Sequence, residues 1–345
     1  LIELSGASAG LGAAGLIVTV GNCTVEGLDI NQFSADAIDL STNGGNTIQA
    51  NYIGVDPTGT VALGNAGDGA DLINAGTGNT IGGTVAGAGN VIAGDTRVGI
   101  WVSSSSSELI AGNFIGVNAG GTGALGNGLT SDLPGLLITA GSNNVTIGGT
   151  TTAARNVISG NYEGIELQGN SALVQGNLIG TNAAGTAVLP NLTNGVLINS
   201  AASLNTIGGS SSVNPSTGDL SGAGNVISGN LNSGVQINSG TSNFIQGNFI
   251  GTDITGEIAL GNDPTGLYDG IDIFAGSNNT IGGASSLDAH GNLSRLGNLI
   301  SGNFGSTSSN GDERVRRGSW CSPAWAPAKI ILRATSRLRP RCRAL

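Results

Sequence analysis

Seven residues of this chain have the types and spacing to do chemistry together. Asp36, Asp39, Asp68 and Asp71 are four carboxylates within 36 residues, followed by Arg97 and Trp101 and, further on, by Glu166. Carboxylates brought to about 5 Å either push a pKa upward or share a cation, and an all-oxygen site suits Ca2+. Asp39 and Asp71 are the pair expected to lie that close. A ring beside carboxylates also suits a sugar, whose apolar face would stack on Trp101, the only Trp before residue 320. The expected binding set is therefore Asp36, Asp39, Asp68, Asp71, Trp101 and Glu166, with Ca2+ at Asp39 and Asp71. Other chemistry is excluded by residue type. His290 is the sole His, and Cys23 is the only Cys before residue 321, so no His-based metal site or His-assisted nucleophile exists. Asp56 and Asp253 alternate with Asn118 and Asn182 at one loop position, an exchange that points to Asx turns.

What must position these residues is a repeat. An Asn-x-Ile/Leu pattern recurs at Asn51, Asn90, Asn113, Asn156, Asn177, Asn225 and Asn248, with Asn298-Leu299-Ile300 as a variant. Its Ile positions include Ile53, Ile115, Ile179 and Ile250, with Ile30 as an earlier member. Steps of 21–23 residues alternate with steps of 39–50, so two coils make a super-repeat of 62–73 residues. Each coil holds two further apolar segments, one usually opened by Gly and one at the "TIGG" sites. All are three to five residues long, β-branched, alternating, and bounded by Gly, Asn and Ser, which reads as strand. Three short strands per coil, stacked in register, predict an all-β, single-stranded parallel β-helix of about nine coils. At about 4.8 Å per coil the rod would be about 43 Å long.

In that fold the outward column of the second strand reads Asp39, Asp71, Trp101, Leu137, Glu166, Leu197, Gln236 and Asp272. The turn before it adds Asp36, Asp68, Arg97, Glu163 and Asp269. Twelve-residue loops such as "GVDPTGTVALGN" interrupt every second coil, and their Leu63, Leu125, Leu189 and Leu260 are expected to cover Tyr52, Phe114, Leu178 and Phe249. Asn51, Asn113, Asn177 and Asn248, with Ile53, Ile115, Ile179 and Ile250, are the structural residues of the repeat. Gly should supply the corners, and Asn either takes the left-handed region or stacks on the Asn one coil away.

Composition agrees and sets limits. There are 62 Gly but no Met and one Lys, Lys329, which argues against a nucleic-acid surface. No apolar run approaches the roughly 20 residues of a membrane span. Residues 1–312 carry a formal −18, whereas residues 313–345 carry +8. A repeat domain over 1–310 and a non-repeat basic tail over 311–345 are therefore expected. The tail's Arg, Pro, Ala, Ser, Cys and Trp are what GC-rich repeat codons give out of frame, so it is read as poorly ordered and as a frameshift or truncation artefact.

Units such as "GNVISGNLNSGVQINSGTSNFIQGNFIGTDITGEIALGN" resemble the right-handed parallel β-helix repeats of large bacterial secreted and cell-surface proteins, in the pectin-lyase-like superfamily. The resemblance covers about residues 5–305. It implies a right-handed helix and a secreted or surface location, but the architecture hosts lyases, glycosidases, adhesins and phage spikes alike. From the superfamily's lyases it implies Ca2+ held by Asp residues and an Arg base, here Arg97. From its hydrolases it implies a carboxylate acid and base, here Asp39 and Asp71. No catalytic motif of either group stands in the sequence, and outward positions on an acidic rod are acidic by default. The resulting expectation is a structural or adhesive repeat region binding polysaccharide or a cell-surface protein. The alternative is a polysaccharide lyase or glycoside hydrolase with a shallow acidic groove.

Overall fold

A three- to five-residue segment that is apolar on one side can bury that side only by stacking on others like itself. The computed structural model describes residues 2–214, 216–284, 286–287 and 293–303; the expected basic tail and His290 lie outside the described residues. The described chain is a right-handed parallel β-helix. A first sheet of ten strands and a second and third of nine strands each run its length. One coil passes through Leu28–Asn31, Ile38–Leu40 and Thr47–Gln49, one strand in each sheet. The Ile column is in register from Ile30 through Ile53, Ile92, Ile115, Ile158, Ile179 and Ile227 to Ile250, and every member is fully buried. Burying each such side chain contributes about 1.5–3 kcal/mol.

Asn works mainly as a ladder. At the corner from third to first sheet, the backbone N–H and Nδ2 of Asn51 both donate to Asn90 Oδ1 at 3.0 Å. The same double bond repeats through Asn113, Asn156, Asn177, Asn225 and Asn248 to Asn298. A second ladder at the corner from first to second sheet links Asn65, Asp95, Asn127, Asn161, Asn191, Asn230, Asn262 and Asn303. Among the described residues only Asn22, Asn74, Asn144 and Asn278, of the asparagines, take positive φ. Stacking, the second of the two expected roles, is thus the commoner one, because a buried corner leaves N–H and C=O groups that an amide can satisfy on both sides.

Gly does take the tight corner where it matters. Gly82, in a TIGG site, has φ +86°, and a Cβ there would stand 2.0 Å from the Ala111 carbonyl oxygen. Gly82→Ala is expected to cost about 2–3 kcal/mol, from left-handed strain plus a clash with backbone that cannot yield. A urea midpoint equal to the parent's would contradict this.

The twelve-residue loops build a second layer. Each closes as a tight hairpin, bridged at Val55–Ala62, Val117–Ala124, Thr181–Val188 and Thr252–Ala259. Successive loops join one another two coils apart, through Ala119 N–H to Gly59 O, Ala183 to Gly121 and Ile254 to Gly185, each 2.9 Å. Beneath them lie two satellite apolar clusters, which include Leu125 and Leu189 but not Leu63 or Leu260. The expected Leu cover is corrected here: at those two coils the loop-tip glycines do the covering. A Cβ on Gly59 would lie 2.9 Å from the Tyr52 ring, and one on Gly256 3.0 Å from that of Phe249, so the hairpin can sit flat on the ring only without one.

Candidate functional site

The second sheet carries the candidate residues outward. Register places Asp39 beside Asp71, Asp71 beside Trp101, then Leu137, Glu166, Leu197, Gln236 and Asp272 in one column. Period-two alternation does this: Ile38 and Leu40 point in and are fully buried, so Asp39 must point out. The turn ahead of each strand is also stacked coil on coil, since the Asp68 N–H donates to Asp36 Oδ1 at 2.7 Å.

This stacking gathers a different carboxylate set from the expected Asp39–Asp71 pair. One oxygen each from Asp36, Asp68 and Asp71 lies within 4.8 Å of the others. Asp39 adjoins Asp71 in register but is not one of the three; the turn brings Asp36 and Asp68 over Asp71, whereas neighbours in a strand column stay a coil apart. Asp68 Oδ1 accepts the Val98 N–H at 2.8 Å and Arg97 Nε at 3.3 Å. Arg97 then lies over the Trp101 ring, 5.7 Å from its centroid. In this arrangement Arg97 is a donor and counter-charge to Asp68, a role unlike that of a base. Asp71 Oδ1 and Trp101 Nε1 are buried without a hydrogen-bond partner.

The electrostatics follow from crowding. Burial pushes the Asp71 carboxyl up to about 8, and the charges of Asp68, Asp36 and Asp39 add to this. Burial also raises Asp68, against the opposing pull of the Val98 N–H and Arg97, and raises Asp39 with help from Asp36. Glu166 is three strands beyond Asp71 in the column, about 14 Å away, so it stands apart from the patch. It accepts from Gln168 at 2.8 Å and Asn199 at 3.3 Å. The three-carboxylate group fits a hard cation: its donors are all oxygen, and Asp71 carries a buried unpaired one.

Three buried acids with raised values escaped the sequence reading. Asp95 is a rung of the second Asn ladder, and burial pushes it to about 7. Glu108 accepts the Asn79 N–H with Oε2, leaves Oε1 unpaired, and is pushed to about 7 by burial. Asp29 lies on the outward side of the first sheet, fully buried, and is pushed to about 6 chiefly by that burial. The findable signal was a departure from the repeat: Asp95 stands where other coils place Asn65 and Asn127, and Glu108 where they place Asn79 and Asn205.

Together the coil, the outward column and the acidic patch define the class: a right-handed parallel β-helix with a concentrated polar station on one sheet. No family model matches the sequence, and no curated protein is similar to it by sequence. Among solved structures the chain is similar to the A-module of the mannuronan C-5 epimerase AlgE4 of Azotobacter vinelandii, at 13% identity and a TM-score of 0.39, over 81% of this chain and 84% of that one. No helix among the described residues is long and apolar enough to cross a membrane.

Proposed function

We propose that this chain binds a polysaccharide along the outward face of its second sheet, in a secreted or surface-exposed setting. Asp36, Asp68 and Asp71 hold Ca2+ there, and Trp101 stacks on a sugar ring. The observation that carries this is the convergence of three carboxylates, among them Asp71 with a buried unpaired oxygen, one coil from an aromatic ring. A rod of formal −18 over residues 1–312 repels an acidic glycan by itself; a bound Ca2+ offsets most of the local negative charge and bridges carboxylate to carboxylate.

Titration calorimetry against acidic oligosaccharides is expected to show binding with Ca2+ and none with a chelator. Trp101→Ala should weaken affinity about tenfold, the equivalent of about 1.4 kcal/mol of stacking. Asp71→Ala should abolish the Ca2+ dependence. Equal binding by wild type and Asp71→Ala would end the proposal.

A second reading has its own support. Asp71 keeps its proton at neutral pH, which is what a general acid needs, and Asp39 and Asp36 are carboxylates close enough to partner it. Product analysis after prolonged incubation separates the two: new reducing or unsaturated ends, lost in Asp71→Asn, mark catalysis, and an unchanged glycan marks binding alone.

A further inference from the structure

The outward face of the first sheet is apolar under the loops, with Tyr52, Phe114, Leu178 and Phe249 as its larger members. It breaks at its start, where Asp29 pairs in register with Tyr52 on one side and Glu3 on the other. Asp29 and Asn31, both on that outward side, are wholly buried. The Asn31 amide is oriented by three acceptors: Nδ2 lies 3.3 Å from Glu3 Oε1, 3.4 Å from Asp29 Oδ1 and 3.3 Å from the Val55 carbonyl. That orientation leaves Asn31 Oδ1 and Asp29 Oδ2 as buried acceptors with no partner. Two bare buried acceptors side by side are costly, and normally mark an ion, a water or a proton at the spot.

We infer that Glu3, Asp29 and Asn31 form a Ca2+ site that pins the first strand, Ile2–Ser5, and the loop over residues 54–65 to the second coil. The oxygens left bare are of the kind the ion takes: Asp29 Oδ2 and Asn31 Oδ1 are hard, buried and unpartnered, and Glu3, tied to Asn31, brings a second carboxylate beside them. Charge points the same way: Glu3 and Asp56, at the base of the loop, both add negative charge at Asp29, against a smaller opposing pull from the N-terminal charge. This site lies on another sheet from the Asp36–Asp68–Asp71 patch and stands or falls without it.

Tb3+, titrated into the full chain and displaced by Ca2+, tests the inference because the two sites have different sensitisers. Emission excited through tyrosine is expected to fall at least fivefold in Tyr52→Phe and to persist in Trp101→Phe. Asp29→Asn should lower the number of bound ions by one, and Asp71→Asn should leave the tyrosine-sensitised emission in place. Should Asp29→Asn fail to fold, Glu3→Gln, at an exposed side chain, is expected to weaken the same ion at least tenfold. Undiminished emission in Tyr52→Phe overturns the inference, as does an unchanged ion count in folded Asp29→Asn. So does a proton alone at Asp29, seen as a carboxyl that titrates identically with and without Ca2+.

Discussion

Asp95→Asn will stabilise the protein by roughly 4 kcal/mol at pH 8 and by far less at pH 4. Asp95 is fully buried in a ladder built for amides. Its Oδ1 accepts the Asn65 N–H at 2.9 Å and Asn65 Nδ2 at 2.8 Å, while its own N–H donates to Asn127 Oδ1 at 3.0 Å. The other carboxyl oxygen has no partner, at the place where each neighbouring rung has an NH2 group. Burial accordingly holds the carboxyl at about 7 in the fold, against an ordinary 3.8. Below pH 3.8 folded and unfolded chains are both protonated and nothing is lost. Between about 4 and 7 the unfolded chain releases this proton and the folded one keeps it, so stability falls as pH rises. The fall is complete above the folded value. An asparagine has no such proton and restores the missing donor, as Asn127 does toward Ile92 O at 3.0 Å. Urea midpoints at pH 4 and pH 8, in chelator, will show the difference. An equal gain at both pH values would mean that Asp95 is ionised without penalty. Asp71 and Glu163, held near 8, Glu108, near 7, and Asp29, near 6, slope the parent and the variant alike, so the difference between the two proteins is what reports on Asp95.

This ladder also shows how far the sequence could be read. Register was legible because Ile30 through Ile250 recur with a buried period of two, and one inward residue per strand fixes which neighbours face out. Asp39, Asp71 and Trp101 therefore fall in one column on the sequence pattern alone. Which of the four expected carboxylates converge was not legible, since Asp36 and Asp68 sit in turns, where period two says nothing about direction. The same limit hid the loop tips: a hairpin's fold decides whether Leu63 or Gly59 meets Tyr52. Asp95 and Glu108 were visible as exchanges within the repeat, but a pattern counted on Ile does not register a change of one atom, NH2 to O, in the rung beside it. Asp29 needed the loop in place before its burial could be known.

The second large effect is expected at a rung that is intact. Asn177 Oδ1 accepts the Asn156 N–H at 3.2 Å and Asn156 Nδ2 at 2.9 Å, and its Nδ2 donates to Ile147 O at 2.9 Å and Asn225 Oδ1 at 3.0 Å. Asn177→Ala removes all four bonds at a buried corner where water cannot replace them, which should cost about 3–5 kcal/mol. Within the three sheets each coil hydrogen-bonds only its neighbours, so the loss at this corner should be local. Amide exchange is expected to quicken around Asn156, Ile147 and Asn225 and to stay slow near Ile53. Asn177→Asp sharpens the test because it makes a second Asp95. At pH 4 the acid can still accept from Asn156 and donate its proton, and the cost should be about 1 kcal/mol. At pH 8 the same variant should be about as unstable as Asn177→Ala, since the carboxylate must then either ionise in the dry corner or hold its proton against the solvent. Uniform exchange along the rod in Asn177→Ala would mean that the coils open together and that the ladder is not the joint between them. A pH-independent Asn177→Asp would mean that water reaches the corner, and with it the account of Asp95 would fall.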